Sequence, residues 1–360
     1  MYYLIVIPLS LLPYLILYVI SDVLCFILKN IFKYRKDIIL GNIKRSFPEK
    51  TVDQHLEIYT NFYRHFCDLL IENLKGFTIT ETQIKNRLKM SNPELVNEYF
   101  EKGKSIILIG GHYNNWEITA QGCPVYLKHE LYAIYKPLKS IFYNNKMRST
   151  RGKFGLRLTP MKLTKKSFEL ESSNPKAIIF GSDQSPSNAK NAYWTTFLNQ
   201  DTGFLFGAEK YAKDYNYPVI YVHIEKVKRG FYNVNFKLIS DNPKSLKHGE
   251  IMELFSKSFV VIALITLLIF IDPKIAIVAG FTFLIAYSLI YKLTRSYLKR
   301  IGKERLTANN LRFTAVSEAF GSAKQVKVLL SKLLSSWSSY SGLYFKGLSI
   351  SSSNKSLIIS

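Results

Sequence analysis

The sequence predicts an α/β domain with a mostly parallel sheet flanked by helices, preceded by an N-terminal membrane helix and followed by a C-terminal transmembrane helical hairpin and a long basic helix. Between residues 37 and 251, short apolar runs alternate with stretches of helical spacing, a pattern typical of parallel sheets. Long apolar runs occur at 3–28, 258–271 and 275–291. A formal charge of +23 combined with 48% hydrophobic residues excludes a disordered chain.

The first element, residues 1–36, is predicted to be a membrane helix with a basic anchor. The run 3–28 contains one charged residue, Asp22, and is longer than the roughly 20 residues that cross a bilayer core. Four basic residues follow it, which places this end in the cytoplasm: Lys29, Lys33, Arg35 and Lys36. Pro8 and Pro13 interrupt the run, so a helix lying in the membrane interface is equally compatible with the sequence. Both arrangements attach the chain to a membrane.

The central domain, 37–251, is predicted to contain a long amphipathic helix over 51–76. Its apolar residues recur at helical spacing: Ile58, Phe62, Phe66, Leu69 and Leu70. Four short apolar runs are predicted strands: Ser105–Ile109, Leu131–Ile134, Ala177–Phe180 and Val219–Ile224. In parallel sheets the functional residues collect at the carboxyl ends of the strands.

One such end carries the most informative motif of the chain, Gly110-Gly111-His112 followed by Glu117. If a helix begins near Asn114, Glu117 lies in its first turn and can reach back to His112. A carboxylate that accepts from one imidazole nitrogen fixes the tautomer, and the other nitrogen can then deprotonate a substrate hydroxyl. The alternative is a histidine with only a structural role at a strand end.

These residues resemble the His-x4-Asp/Glu motif of lysophospholipid acyltransferases, in particular their lipid A biosynthesis (lauroyl/myristoyl) branch. The resemblance runs from about residue 2 to 250, and further blocks follow in the family's order. They are Asn42 with Ser46-Phe47-Pro48-Glu49, Tyr135-Lys136-Pro137-Leu138 with Arg148 and Phe154-Gly155, Ser182-Asp183-Gln184-Ser185-Pro186, Phe197-Leu198-Asn199-Gln200-Asp201-Thr202, Gly207-Ala208-Glu209-Lys210, and Lys228-Arg229-Gly230-Phe231-Tyr232.

The resemblance implies an acyltransferase in which His112 is the general base and Glu117 is its partner. Arg148 would face phosphate or the acyl carrier, since a guanidinium suits phosphate oxygens. Asp183, Gln184 and Glu209 fall in the family's later blocks and are expected to contribute to substrate binding. Without the resemblance, Arg148 is equally well a surface arginine, and Asp183-Gln184 a capped turn near a proline.

The C-terminal part resembles a different family. Residues 252–330 are similar to a fragment of an ABC exporter transmembrane domain, with an apolar pair joined at Asp272-Pro273 and an ending that contains Glu318, Gly321 and Val326-Lys327. They contain no P-loop, and 331–360 form a Ser-rich tail. We therefore expect a fusion or chimera joined near residue 251. A buried helical pair in a soluble core is the alternative.

The predicted function is transfer of a fatty acyl group from a thioester of acyl carrier protein, or of coenzyme A, to a hydroxyl of a lipid A precursor or lysophospholipid. The thioester is a co-substrate, and no other cofactor is expected. Membrane lipids, the lipid acceptor and the carrier protein are the expected partners, and the inner membrane with the catalytic domain on its cytoplasmic face is the expected location. Three cysteines without a CxxC motif argue against a metal cluster. The alternatives are a non-catalytic membrane protein, an incomplete transporter subunit, or a nucleic-acid-binding protein; the apolar segments disfavour the last.

Overall fold

The structure is a computed structural model that describes residues 2–184, 186, 192–258, 285 and 287–292. The chain divides into two compact units, Met1–Leu267 and Leu268–Ser360. The second unit is described only over a short helical stretch, 285 and 287–292. Most of the predicted hairpin, the basic helix, the exporter-like segment and the Ser-rich tail therefore lie outside the described residues.

A seven-stranded sheet forms the centre of the first unit, in the order β1-β9-β8-β2-β5-β3-β4. Every neighbouring pair is parallel except β8 with β9, which confirms the mostly parallel sheet. A separate antiparallel hairpin consists of β6 and β7. The strands are β1 (Leu88–Met90), β2 (Ile106–Gly110), β3 (Glu130–Tyr135), β4 (Arg157–Pro160), β5 (Lys176–Gly181), β6 (Ala192–Phe197), β7 (Gln200–Leu205), β8 (Val219–Lys228) and β9 (Phe231–Ser240).

Helices cover both faces of this sheet. Thr51 and Thr80 begin two of them through capping boxes, in which the threonine hydroxyl accepts from the third backbone N–H of the helix. The helices are α1 (Ile7–Leu11), α2 (Tyr14–Phe26), α3 (Lys36–Ser46), α4 (Val52–Lys75), α5 (Glu81–Arg87), α6 (Pro93–Glu101), α7 (Trp116–Tyr126), α8 (Ile141–Arg151), α9 (Thr164–Glu169), α10 (Gly207–Tyr215) and α11 (250–258).

The four predicted strands are confirmed as β2, β3, β5 and β8. The strands β3, β5 and β8 extend beyond the predicted apolar run, and β2 begins and ends one residue later than predicted. The strand β2 is buried from Ile106 to Ile109, which explains its unbroken apolar sequence. The remaining strands were not predicted. The turn of the β6–β7 hairpin, Leu198-Asn199, has positive φ at both residues (48° and 60°), as a tight hairpin requires.

The helix predicted over 51–76 is confirmed as α4, but its buried face differs from the predicted apolar stripe. Phe62 and Leu70 are each 42% exposed, whereas a polar stripe of the same helix is buried. That stripe comprises His55, Asp68, Glu72 and Lys75. The reason is that α2 packs along α4, where Ser21 donates to Asp68 and Tyr18 donates to Glu72. His55 bonds instead to the Phe47 carbonyl, and Lys75 to the carbonyls of Leu11 and Leu12.

The helix α11 belongs to the core of the first unit. Ile251, Met252 and Phe255 are almost fully buried, in one cluster with Ile107 and Tyr221 of the sheet. The predicted boundary at residue 251 thus falls inside a packed helix.

Candidate active site

Two neighbouring parallel strands, β2 and β5, deliver polar residues to the same edge of the sheet. Their register pairs Gly110 with Gly181, so the residues that follow each strand leave the sheet side by side. His112 therefore emerges next to Asp183. The predicted location of functional residues at the carboxyl ends of strands agrees with this geometry.

Asp183 holds His112 through two hydrogen bonds. One carboxylate oxygen accepts from the His112 backbone N–H at 2.7 Å, and the other lies 2.7 Å from Nδ1 of the imidazole. A carboxylate accepts and does not donate, so Nδ1 carries the proton and Nε2 has the free lone pair. The Gln184 amide nitrogen lies 3.4 Å from Nε2. This is the arrangement of a histidine prepared to take a proton.

Two glycines make this approach possible. A Cβ on Gly181 would lie 2.8 Å from Cε1 of His112, and a Cβ on Gly111 would lie 3.3 Å from the Asp183 carboxyl carbon. The first distance is too short for any side chain, so the imidazole would have to move. The contact between the histidine loop and the end of β5 thus leaves no room for a side chain at Gly181, whereas at Gly111 the Asp183 carboxyl group would have to shift by a few tenths of an ångström.

Glu117 does not contact His112 in the structure, and the predicted His112–Glu117 hydrogen bond is wrong. The Glu117 carboxylate instead accepts hydrogen bonds from Nε and Nη2 of Arg151, the second at 3.0 Å. The side chains of the pair are 6% and 17% exposed. Asn114 and Asn115 cause this direction: Asn114 has a left-handed backbone (φ 51°), and Asn115 caps α7 by accepting from Ile118 N–H at 2.9 Å. The first turn of α7 consequently directs Glu117 towards α8.

Trp116 lies between the two polar pairs. Its ring meets the His112 imidazole edge to face at 4.7 Å between centroids, and the Arg151 guanidinium lies over the same ring at 5.1 Å. Trp116 thus connects the His112–Asp183 pair to the Glu117–Arg151 pair and limits the positions the imidazole can take.

An apolar cavity of about 300 Å³ opens beside His112. Its walls come from the sheet, α7 and the segment around β4, and they include Leu108, Ala120, Leu156, Ile179 and Val222. Among the described residues, Lys136 and Arg151 are the cationic ones that line it. The site therefore combines a histidine paired with a carboxylate, an apolar chamber and positive charge.

The other predicted site residues are distributed differently. Arg148 is exposed on α8, one turn before Arg151, and does not line the cavity. Glu209 is fully buried away from the cavity, where it accepts from the backbone N–H groups of Gly249 and Met252 and pairs with Lys213. Both of its carboxylate oxygens are used at the start of α11, and its expected role in substrate binding stays a prediction. Gln184 lines the cavity, and its expected role in substrate binding stays a prediction.

Asp183, Arg151 and Trp116 make contacts at the candidate site that the sequence analysis does not predict. Asp183 was named, but as a substrate contact rather than the histidine partner. The available signal was that Asp183 follows a predicted strand at the same end as His112. Arg151 lies on the helix that carries Arg148, and nothing in its spacing separates it from the neighbouring basic residues.

A buried carboxylate supports the site from beneath. Glu72 accepts from Asn115 and Tyr232 at 2.7 Å each and from Tyr18 at 2.9 Å. Burial raises the pKa of Glu72, while these three donors act in the opposite direction. Because Asn115 begins α7, Glu72 holds the loop that carries His112. Among the described residues there is no cluster of ligands that would hold a metal ion.

A model of the bacterial lipid A biosynthesis acyltransferases matches residues 1–252. This match covers the region of the predicted resemblance, and the exporter resemblance of 252–330 stays a prediction. No curated protein sequence matches the chain. With the match extending over most of its length, the chain belongs to the bacterial lipid A biosynthesis acyltransferase family.

Proposed function

We propose that this protein transfers a fatty acyl group from a thioester of acyl carrier protein, or of coenzyme A, to a hydroxyl of a lipid A precursor or a lysophospholipid. The family supports acyl transfer to a lipid. The observation that carries the proposal for this chain is the pairing of His112 with Asp183 at the opening of an apolar cavity.

In the proposed mechanism, Nε2 of His112 removes the proton of the acceptor hydroxyl, and the resulting oxygen attacks the thioester carbonyl carbon. Asp183 holds Nδ1–H and stabilises the imidazolium. The tetrahedral intermediate collapses to the new ester and expels the thiolate, which takes the proton back from His112. The proton count is then balanced, and no covalent acyl-enzyme forms.

The cavity is proposed to hold the hydrocarbon chain of the acyl group. Each buried methylene contributes about 0.8 kcal/mol, so an apolar chamber next to the base supplies both binding energy and alignment of the carbonyl. The Gln184 amide lies at the same opening and is placed to move from Nε2 to an oxygen of the reacting group.

Arg151 is proposed to bind an anionic group of the substrate, since it lines the cavity while Glu117 fixes its Nε and Nη2. A guanidinium held along one edge presents its remaining N–H groups in a defined direction. Glu117 is thus proposed to be a positioning residue, which replaces its predicted role as the partner of the base. Lys136 adds a second positive charge to the same region.

The proposed location is the bacterial inner membrane, with the catalytic domain on the cytoplasmic face. Within the described residues there is one helix long and apolar enough to cross a membrane, Tyr14–Ile31. The basic residues that follow it favour the cytoplasmic side for that end.

The test is acyl transfer by the purified full-length chain in detergent. Acyl carrier protein and coenzyme A thioesters of several chain lengths would be offered with a lysophospholipid or a lipid A precursor, and the ester product would be detected by mass spectrometry. We expect ester formation that is lost in His112→Ala, although that variant remains folded. Product formation no greater than that of His112→Ala would refute the proposal and favour a non-catalytic membrane protein.

A further inference from the structure

The N-terminal segment, residues 2–34, is attached to α4 and to the turn that follows it through hydrogen bonds between Ser10 and Lys29. Thr78 donates to the Ser10 carbonyl near one end, and Lys29 donates to Thr60 at 2.9 Å near the other. Between them, Tyr18 donates to Glu72 and Ser21 donates to Asp68 at 2.8 Å. As the N-terminal segment advances, its partners move back along α4, so the two run antiparallel.

Charged groups strengthen this attachment. Arg229, from the β8–β9 turn, bonds to Asp68 of α4 and to Asp22 of α2 at 2.6 Å each. Lys75 donates to the carbonyls of Leu11 and Leu12, where α1 gives way to α2. The apolar segment is therefore bound to the domain through its polar face.

The opposite face of α2 carries a row of exposed apolar side chains. At 100° per residue, Leu15, Val19, Val23 and Phe26 lie within one arc, and each is more than half exposed. Leu17 and Ser21, on the other side of the helix, are buried against the domain. A helix facing lipid all round would need no such division.

The length of the attachment argues against a spanning helix. From Ser10 to Lys29 the segment extends about 28 Å at 1.5 Å per residue, close to the thickness of a bilayer core. If it crossed the bilayer, α4 would have to cross beside it, together with Asp68, Glu72 and Arg229. Ionisable groups at that depth are strongly disfavoured, and α4 is an integral helix of the catalytic domain.

The exposed apolar surface continues past both ends of the segment. At one end, Tyr2 and Tyr3 contact Phe142 in the first turn of α8, beside Ile141, which is 78% exposed. At the other end, Tyr34 stacks on Phe66 of α4. The first of these extensions leads towards the active site, because α8 also carries Arg151.

We propose that residues 2–34 and the first turn of α8 form one lipid-contact surface, which lies in a single leaflet of an anionic bilayer and leaves the N-terminus on the same side as the catalytic domain. The occupant is a bilayer because the surface is a long, exposed apolar strip. The basic residues that follow α2 suit acidic headgroups at the interface: Lys29, Lys33, Arg35, Lys36, Lys44 and Arg45. The surface brings the cavity, through α8, close to the lipids that supply an acceptor.

The first test is the position of the N-terminus in sealed inverted inner-membrane vesicles, whose outer face is the cytoplasmic one. The full-length chain would carry a short N-terminal tag with a protease site, and a label on Lys102→Cys, the residue directly after α6, would confirm that the catalytic domain faces outwards. We expect protease to remove the tag from intact vesicles. Cleavage only after the vesicles are opened would mean a spanning helix and would overturn the proposal. The readout does not depend on acyl transfer, so it is independent of the proposed function.

The second test is the depth of α8. A polarity-sensitive fluorophore would be placed on Ile141→Cys in a Cys25→Ser chain, whose other two thiols, Cys67 and Cys123, are buried. We expect loss of its emission in vesicles that contain lipids with a quencher on the acyl chain. The matched control is Leu170→Cys, an exposed apolar position that precedes the amino end of β5, whereas α8 follows the carboxyl end of β3. A fluorophore at this position should keep its emission. Equal emission at the two positions would remove α8 from the proposed surface.

Discussion

Replacing Asp183 by Asn separates the observed partner of His112 from the predicted one. The change keeps the size of the side chain, and its carbonyl oxygen can still accept from the His112 backbone N–H. The amide NH₂ group then faces Nδ1, where the carboxylate oxygen lay at 2.7 Å. Two donors cannot pair, so the imidazole is driven to the tautomer with its proton on Nε2, which cannot act as the base.

The expected loss follows from this geometry. Removal of a general base costs roughly 10²- to 10⁴-fold in kcat, and the wrong tautomer in a comparable histidine–carboxylate pair costs about 10⁴-fold. If His112 and Asp183 act as one unit, the double variant loses no more than about 10⁴-fold, which is roughly 5.5 kcal/mol. If they act independently, the losses multiply to at least about 10⁶-fold.

The assay is a double-mutant cycle measured as thiol release with a fixed acyl thioester and acceptor. His112→Ala, Asp183→Asn and their combination form the first cycle, and Glu117→Gln replaces Asp183→Asn in the second. We expect strong coupling only in the first cycle, because Glu117 pairs with Arg151. Thermal unfolding of each variant checks that it is folded. Additive losses for His112 with Asp183, together with coupling between His112 and Glu117, would refute the assigned pair.

Three further predictions test the surroundings of the site. Gly181→Ala should displace the His112 imidazole, because the new Cβ would lie 2.8 Å from it. Acyl transfer should therefore fall far more than in Gly152→Ala, where nothing lies within 4 Å of the added Cβ. Equal activity of the two variants would contradict the close contact. Arg151→Lys cannot reproduce a two-point contact with a carboxylate, so the KM for the anionic substrate should rise, whereas the exposed Arg148→Lys should leave KM unchanged; steady-state kinetics distinguish the two. Burial, together with the charge of Lys226, lowers the pKa of His65 from 6.5 to about 4. Between these pH values the unfolded chain binds a proton that the folded chain does not, so the free energy of unfolding should fall as the pH drops from 6.5 towards 4, by up to about 1.4 kcal/mol per pH unit. Urea unfolding across this range should show a shallower decline in His65→Asn, and an unchanged decline would exclude His65 as the cause.

The parts of the fold that the sequence predicted are those in which local pattern and burial agree. The strands β2, β3, β5 and β8 were predicted because buried parallel strands are continuous apolar runs between turns. The helix α4 was predicted from the helical spacing of its apolar residues alone; the capping box of Thr51 with Gln54 is a further local signal for its start. The edge strands β1 and β4 are three and four residues long, too short for any period to be visible.

Of the candidate site, the sequence predicts the residues that follow a single strand, but it does not predict which residues of different strands come together, because that depends on the order of the strands in the sheet. His112 follows β2 in the sequence, and its glycines and strand are visible there. Asp183 lies 71 residues later, and only the adjacency of β2 and β5 makes it the partner of the imidazole. Glu117 was the nearest carboxylate along the chain, so local spacing favoured it, but a left-handed Asn114 and the cap at Asn115 direct its side chain to Arg151.

The N-terminal segment shows why hydropathy alone could not separate a spanning helix from one lying in the interface. Averaged over its length, α2 is apolar enough for either arrangement, and the distinction depends on Tyr18 and Ser21, which sit on one face of the helix. Tyr18 reaches Glu72, and Glu72 holds Asn115 at the start of the helix that follows His112. The side chain of Tyr18 that attaches the apolar segment to the domain therefore also supports, through Glu72, the loop that carries His112. Removing that segment would expose the buried carboxylate stripe of α4 and take one of three hydrogen bonds from Glu72, so membrane contact and the geometry of the base depend on a single packed interface.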